Sequence, residues 1–234
     1  MDTRDSSPDL ATEVGDRIRE VAREIKPHLR GWLHAGTWPL ALAAFIVLIV
    51  LSPGAVNKIG AAVFMVTSLL LFGVSAVYHR GTWQPRAHDV LKRWDHANIF
   101  LLIAGSYTPF SLLLLPEREA TVLLSVVWGG AILGVFFRVF WVGAPRWLYV
   151  PIYVGLGWVA VIYTGDFVAN GSTAVIVLMF VGGGLYSLGG LVYGIKRPNP
   201  STTWFGFHEV FHALTVAAFV SHYVGVSIAA YSLR

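Results

Sequence analysis

The sequence predicts an all-α membrane protein, a bundle of seven transmembrane helices, and three observations carry that expectation. Hydrophobic residues make up 56% of the 234 positions and charged residues only 13%, with a mean hydropathy of +0.64. Soluble globular domains do not carry that balance. Seven apolar stretches, each close to the length that crosses a bilayer core, follow one another with short polar connections between them. Lys and Arg are unevenly shared between the two sides: 14 of the 17 fall with the N-terminus, and only Lys58, Arg118 and Arg234 fall opposite. The positive-inside rule then predicts a multi-pass protein of the cell membrane, with its N-terminus in the cytoplasm and its C-terminus outside. The same asymmetry accounts for an isoelectric point near 9.5 without a nucleic-acid partner.

Residues 1–35 are expected to form a cytoplasmic segment and 36–234 the membrane domain. The first dozen residues are polar and lack the apolar core of a signal peptide, so no cleaved leader is expected. Val14, Ile18, Val21, Ile25 and Leu29 recur at helical spacing among charged residues, which predicts an amphipathic helix on the membrane surface. The predicted spans are 37–52, 59–79, 94–115, 120–140, 147–168, 173–195 and 204–231. Trp32, Trp38, Trp83, Trp94, Trp141, Trp147 and Trp204 fall near the cytoplasmic ends, where interfacial tryptophans are expected. Pro109 and Pro151 should each kink the span that contains it. The glycines at 129–130, 182–184 and 189–190 read as positions of close helix packing.

Polar groups inside such spans are costly and point to function. His208 and His212 open the seventh span four residues apart, on one helical face and about 6 Å apart along the axis, so both imidazoles can reach one metal ion. Topology brings the end of span two, with Ser75 and His79, and the start of span three, with Asp95, to the same membrane depth. Three neutral imidazoles and one water make an open tetrahedral zinc site, and a neighbouring carboxylate can hold and deprotonate that water. The chain has no cysteine, so a transition metal must be held by imidazole and carboxylate; iron, manganese and nickel accept that set as well as zinc. Ser75 lies one turn before His79 and can orient the site by a hydrogen bond. Taken singly, His79 also reads as an interfacial side chain, and Asp95 as a helix cap or a partner of Arg93. His96 and Glu209 point about 100° away from their neighbours and are poor candidates for ligands. His208-Glu209-x-x-His212 is formally a zinc-protease pattern with Glu as base, but no motif for its third ligand is evident. His222 reads as a pore-lining or hydrogen-bonded core histidine, and His28, His34 and His88 as solvent or headgroup histidines.

Ser75-x-x-Tyr78-His79, the run from Asp95 to Pro109, and His208-x-x-x-His212 together resemble the hemolysin III branch of the progestin and adipoQ receptor family, from about Leu33 to the C-terminus. The resemblance implies a seven-helix bundle with Zn²⁺ near the cytoplasmic face, held by His79, His208 and His212. It also implies that Asp95 contacts the zinc-bound water and that Ser75 supports the site. The wider superfamily includes alkaline ceramidases, so hydrolysis of a lipid amide or similar bond is the leading expectation, with membrane lipids as surroundings and a lipid as substrate. The competing expectations are a receptor-like or membrane-homeostasis protein with structural zinc, and a hemolysin-like pore.

Overall fold

A computed structural model describes residues 27–141 and 143–233. The amphipathic stretch expected from Val14 to Ile25 lies outside the described residues. The helices are α1 (Trp32–Leu51), α2 (Ala55–Arg80), α3 (Pro85–Leu114), α4 (Glu117–Phe140), α5 (Arg146–Gly157), α6 (Thr164–Asn170), α7 (Thr173–Ile195) and α8 (Phe207–Tyr231), with a 3₁₀ turn at Val159–Tyr163 between α5 and α6. Counting α5 to α6 as one, seven spans among the described residues are long and apolar enough to cross a membrane. The chain is therefore a multi-pass integral membrane protein.

The bundle is built around α3, whose most apolar stretch is 72% buried, against 6% for the fifth span. That burial follows from small and hydroxylated residues, Ala97, Ala104, Gly105, Thr108 and Ser111, which let neighbouring helices approach. At Gly105 a Cβ would fall 1.9 Å from Thr67 Oγ1, so α2 and α3 meet backbone to side chain. Helices α2, α4, α5 and α8 all touch α3, and α8 also closes against α1 and α7. Phe64 packs edge-on against Phe45 and Phe219, Phe72 edge-on against Phe219, and Phe45 meets Phe219 at a tilt. This aromatic plug fixes how far apart α1, α2 and α8 can sit.

Several boundaries differ from the sequence expectation. Helix α3 begins at Pro85, nine residues before the apolar run, because Pro at the first helical position and the polar but helix-forming run from Arg86 to Arg93 extend it out of the apolar layer. Helix α1 begins at Trp32. Both α3 and α5 remain helical through Pro109 and Pro151, and the irregular segment of the fifth span falls instead at Trp158–Tyr163. There the Tyr107 hydroxyl donates to the Gly157 carbonyl at 2.7 Å and accepts from the Ala160 N–H at 2.9 Å. It thus satisfies backbone groups that the break frees, which hydrocarbon would not tolerate unpaired. Of the glycine clusters, Gly130, Gly182, Gly189 and Gly190 face close neighbours, while Gly129, Gly183 and Gly184 face open space.

Candidate metal centre

The first turn of α8 is fixed before its histidines are placed. Glu209 is 1% exposed; its Oε2 accepts the Gly206 N–H at 2.8 Å and its Oε1 pairs with the Arg30 guanidinium. The chain before α1 adds backbone bonds from His28 N–H to Thr203 O at 3.0 Å and from Leu29 N–H to Trp204 O at 3.3 Å. The His28 ring stacks on Trp204 at 4.6 Å. His28 is exposed, as is His88. Glu209 is thereby committed to capping and to Arg30, and is not available as the base of a zinc-protease pattern.

With α8 so held, His208 and His212 project from one face, their ring centroids 4.6 Å apart. His79, at the end of α2, meets them from across the bundle. Its Nε2 lies 3.1 Å from His208 Nε2, and one nitrogen from each of the three imidazoles falls within 4.8 Å of the others. Two nitrogen ligands on a tetrahedral ion with metal–nitrogen bonds of about 2.0–2.1 Å stand ~3.3 Å apart, so the observed approach suits a shared cation. The donor set is imidazole only, which suits zinc, copper, iron or nickel. The buried His79–His208–His212 cluster can hold a metal ion.

Asp95 Oδ2 lies 3.6 Å from His79 Nε2, too far for a direct hydrogen bond and near enough to share a small ligand with it. Ser75 is buried one turn before His79. Ser75, Asp95 and His212 all border one cavity of about 110 Å³, measured as the space that water centres can occupy. The cavity runs from this cluster into the apolar middle of the bundle, along Leu71, Ile99, Leu102, Val150 and Val154.

His34 corrects the sequence expectation. It is 2% exposed rather than at the headgroups, and its ring stacks on His212 with centroids 3.8 Å apart. Because α1 starts at Trp32, His34 lies within the first turn of the bundle and faces inward, edge-on to Phe72. A network on the other side was also not foreseen. His96 bonds Lys92 O through Nδ1 at 2.7 Å and the Tyr193 hydroxyl through Nε2 at 3.1 Å. The Tyr149 hydroxyl donates to that of Tyr193 at 3.3 Å, and the Tyr193 ring packs against His208 at 5.7 Å. These residues are scattered through three helices and carry no spacing signal that singles them out. His222 is a buried, hydrogen-bonded core histidine, bonded to Met179 O at 3.1 Å.

Gly31 sets the approach of α1 to the cluster. It adopts φ 80°, and a Cβ there would fall 2.8 Å from His79 Cβ. Gly31→Ala combines left-handed backbone with a clash against His79, and is expected to cost about 1–3 kcal/mol. Metal retained after dialysis against a chelator should fall in this variant, while Gly36→Ala, where the added methyl meets nothing within 4 Å, should leave it unchanged.

The chain matches the haemolysin-III related family over residues 23–223. It is 34% identical over 172 residues to a hemolysin-3 homolog of Bacillus subtilis (strain 168), covering 72% of this chain and 80% of that protein. It is 31% identical over 157 residues to hemolysin-3 of Bacillus cereus, covering 66% and 71%. A progestin and adipoQ receptor-like protein 1 of Caenorhabditis elegans is 27% identical over 198 residues, which is 75% of this chain and 44% of that protein.

Proposed function

The chain belongs to the haemolysin-III related family, and from that premise we propose that it is an integral membrane zinc hydrolase acting on a lipid amide or similar bond. The observation that carries this reading is one juxtaposition. Three buried imidazoles stand together with a carboxylate beside them, and one of the three, His212, borders with that carboxylate a cavity whose remaining lining is mainly apolar. His79, His208 and His212 would hold the ion. Zinc bound there supplies Lewis-acid polarisation of a carbonyl and brings the pKa of water towards neutrality.

The chain's own residues do the rest. Asp95 takes the proton from the water whose oxygen adds to the carbonyl carbon, then returns it to the amine nitrogen as the carbon–nitrogen bond breaks. Ser75 orients that carboxylate or the water from the preceding turn of α2. Leu71, Ile99 and Leu102 receive the acyl chain, which keeps bulk water from the reacting carbon. The charge asymmetry of the sequence supports a site at the cytoplasmic face. A second reading, structural zinc in a non-enzymatic bundle, is favoured by one observation: the cluster joins α2 to α8 across the structure. A pore needs a continuous polar stripe, and the cavity lining supports that reading least.

Metal content by mass spectrometry on detergent-purified protein tests the premise. About one zinc per chain is expected in the wild type and none in the His79, His208 and His212 triple alanine variant. Release of fatty acid from N-acyl sphingosines or N-acyl ethanolamines should follow the metal. A well-folded wild type without metal would remove the hydrolase reading.

A further inference from the structure

Deeper in the bundle the cavity meets a second set of polar groups. Most polar side chains along it are satisfied locally: Ser106 donates to Ile103 O, Thr215 to Phe211 O, Ser187 to Gly183 O, and Trp158 Nε1–H to the Ser187 hydroxyl. Apart from the His34 ring and His212 Nδ1 at the histidine cluster, two are not: the Tyr186 hydroxyl and His222 Nδ1 are buried with no hydrogen-bond partner among the described residues. Both residues border the cavity, and their rings lie 5.5 Å apart.

The chemistry of the pair is fixed by its neighbours. A carbonyl only accepts, so the bond from His222 Nε2 to Met179 O puts the ring proton on Nε2 and leaves Nδ1 as an acceptor. Gly182 receives the Cδ2–Nε2 edge of that ring, which turns the Nδ1 edge away from Gly182; a Cβ there would fall 2.1 Å from Cδ2. Tyr186, one turn beyond Gly182 on α7, brings a hydroxyl able to donate. One unsatisfied acceptor and one unsatisfied donor in hydrocarbon are each costly, and together they match the donor and acceptor of a single hydroxyl group. A second cavity, of about 50 Å³, shares His222, Ser106, Tyr107 and Gly183 with the first and continues towards Phe167 and Phe180. A chain reaching His222 therefore has room beyond it.

We propose that Tyr186 and His222 form a recognition site for a hydroxyl carried midway along a bound acyl chain. The inference rests on the reading that an acyl chain fills this cavity with its carbonyl at the histidine cluster. Ten residues of α8 separate His212 from His222, about 15 Å of helix axis, and an extended chain with 1.52 Å bonds advances about 1.25 Å per carbon, so the hydroxyl falls roughly ten to twelve carbons from the carbonyl. The ligand class is a mid-chain hydroxylated fatty acid or its amide. A plain saturated chain would leave both groups unpaired, and a site built to bond a hydroxyl discriminates against the chain that lacks it.

The test is competition against a fluorescent fatty acid on the full chain in detergent. The probes are 12-hydroxyoctadecanoate, 2-hydroxyoctadecanoate and octadecanoate. The first is expected to bind at least about tenfold more tightly than the other two, the scale of one or two added hydrogen bonds. Tyr186→Phe removes a single oxygen and should collapse that ratio to about one. His222→Phe serves as the second variant, and the melting temperature of each shows that the bundle still folds. Equal binding of the three acids would mean that water serves this pair or that nothing does, and overturns the proposal. A preference that survives in both variants overturns it too, as does failure of all three acids to bind. Absence of lipid-amide hydrolysis with the 12-hydroxy preference intact would overturn the hydrolase reading and leave this site standing.

Discussion

Asp95→Ala is expected to keep about one metal ion per chain and to lower lipid-amide turnover by roughly 100- to 10,000-fold, the range that a positioned general acid–base supplies. The separation of the two effects follows from geometry. Asp95 is not among the imidazoles that converge, and its nearest approach to one of them is the 3.6 Å to His79 Nε2. Losing it removes a proton carrier and leaves the ligands in place. Asp95→Asn keeps the shape and one acceptor and should be nearly as inactive, which separates loss of the carboxylate's basicity from loss of packing. Full turnover in either variant, with metal bound, sinks the assigned role. Under the structural-zinc reading neither variant changes anything, because the wild type has no turnover to lose.

The convergence of His79, His208 and His212 was legible because it needs only two rules, helical spacing and the alternation of spans. Both survive errors of several residues at the helix ends. His34 was not legible for the converse reason. Whether a histidine near the start of a first span faces lipid headgroups or the bundle depends on where α1 begins, and a start at Trp32 rather than 37 turns His34 inward against His212. Tyr193 and His96 are 97 residues apart, and nothing in local sequence pairs them. The break at Trp158–Tyr163 was also hidden. Tyr107, on another helix, is what makes it tolerable. Arg30 carried no signal beyond its charge, and counting it for topology concealed its partner.

That partner makes Arg30→Ala the second large expectation. The variant leaves the Glu209 carboxylate, 1% exposed, without its cation, and breaking a buried pair costs about 3–5 kcal/mol. Arg30 itself is 20% exposed, so water can partly replace it and the lower end applies. At roughly 2–4 °C per kcal/mol for a chain of this size, the melting temperature should fall by about 6–12 °C. Intrinsic tryptophan fluorescence during heating in detergent reads this directly. Adding Glu209→Gln removes the stranded charge while an amide oxygen can still accept the Gly206 N–H, so the double variant should recover most of the loss. An unchanged melting temperature in Arg30→Ala would show that the pair contributes nothing.

The converging histidines also have an order in time. His79 and His208 meet across 129 residues of chain, and two of the three converging histidines lie on α8, which is synthesised after the seven helices before it. While the ribosome is still making the loop after α7, the growing protein holds one of these imidazoles and no mate for it, and Arg30 waits equally long for Glu209. Both unions wait until α8 enters the bilayer and docks. A nascent chain arrested before α8 would hold neither, so if the cluster takes a metal, its capture would mark the insertion of α8.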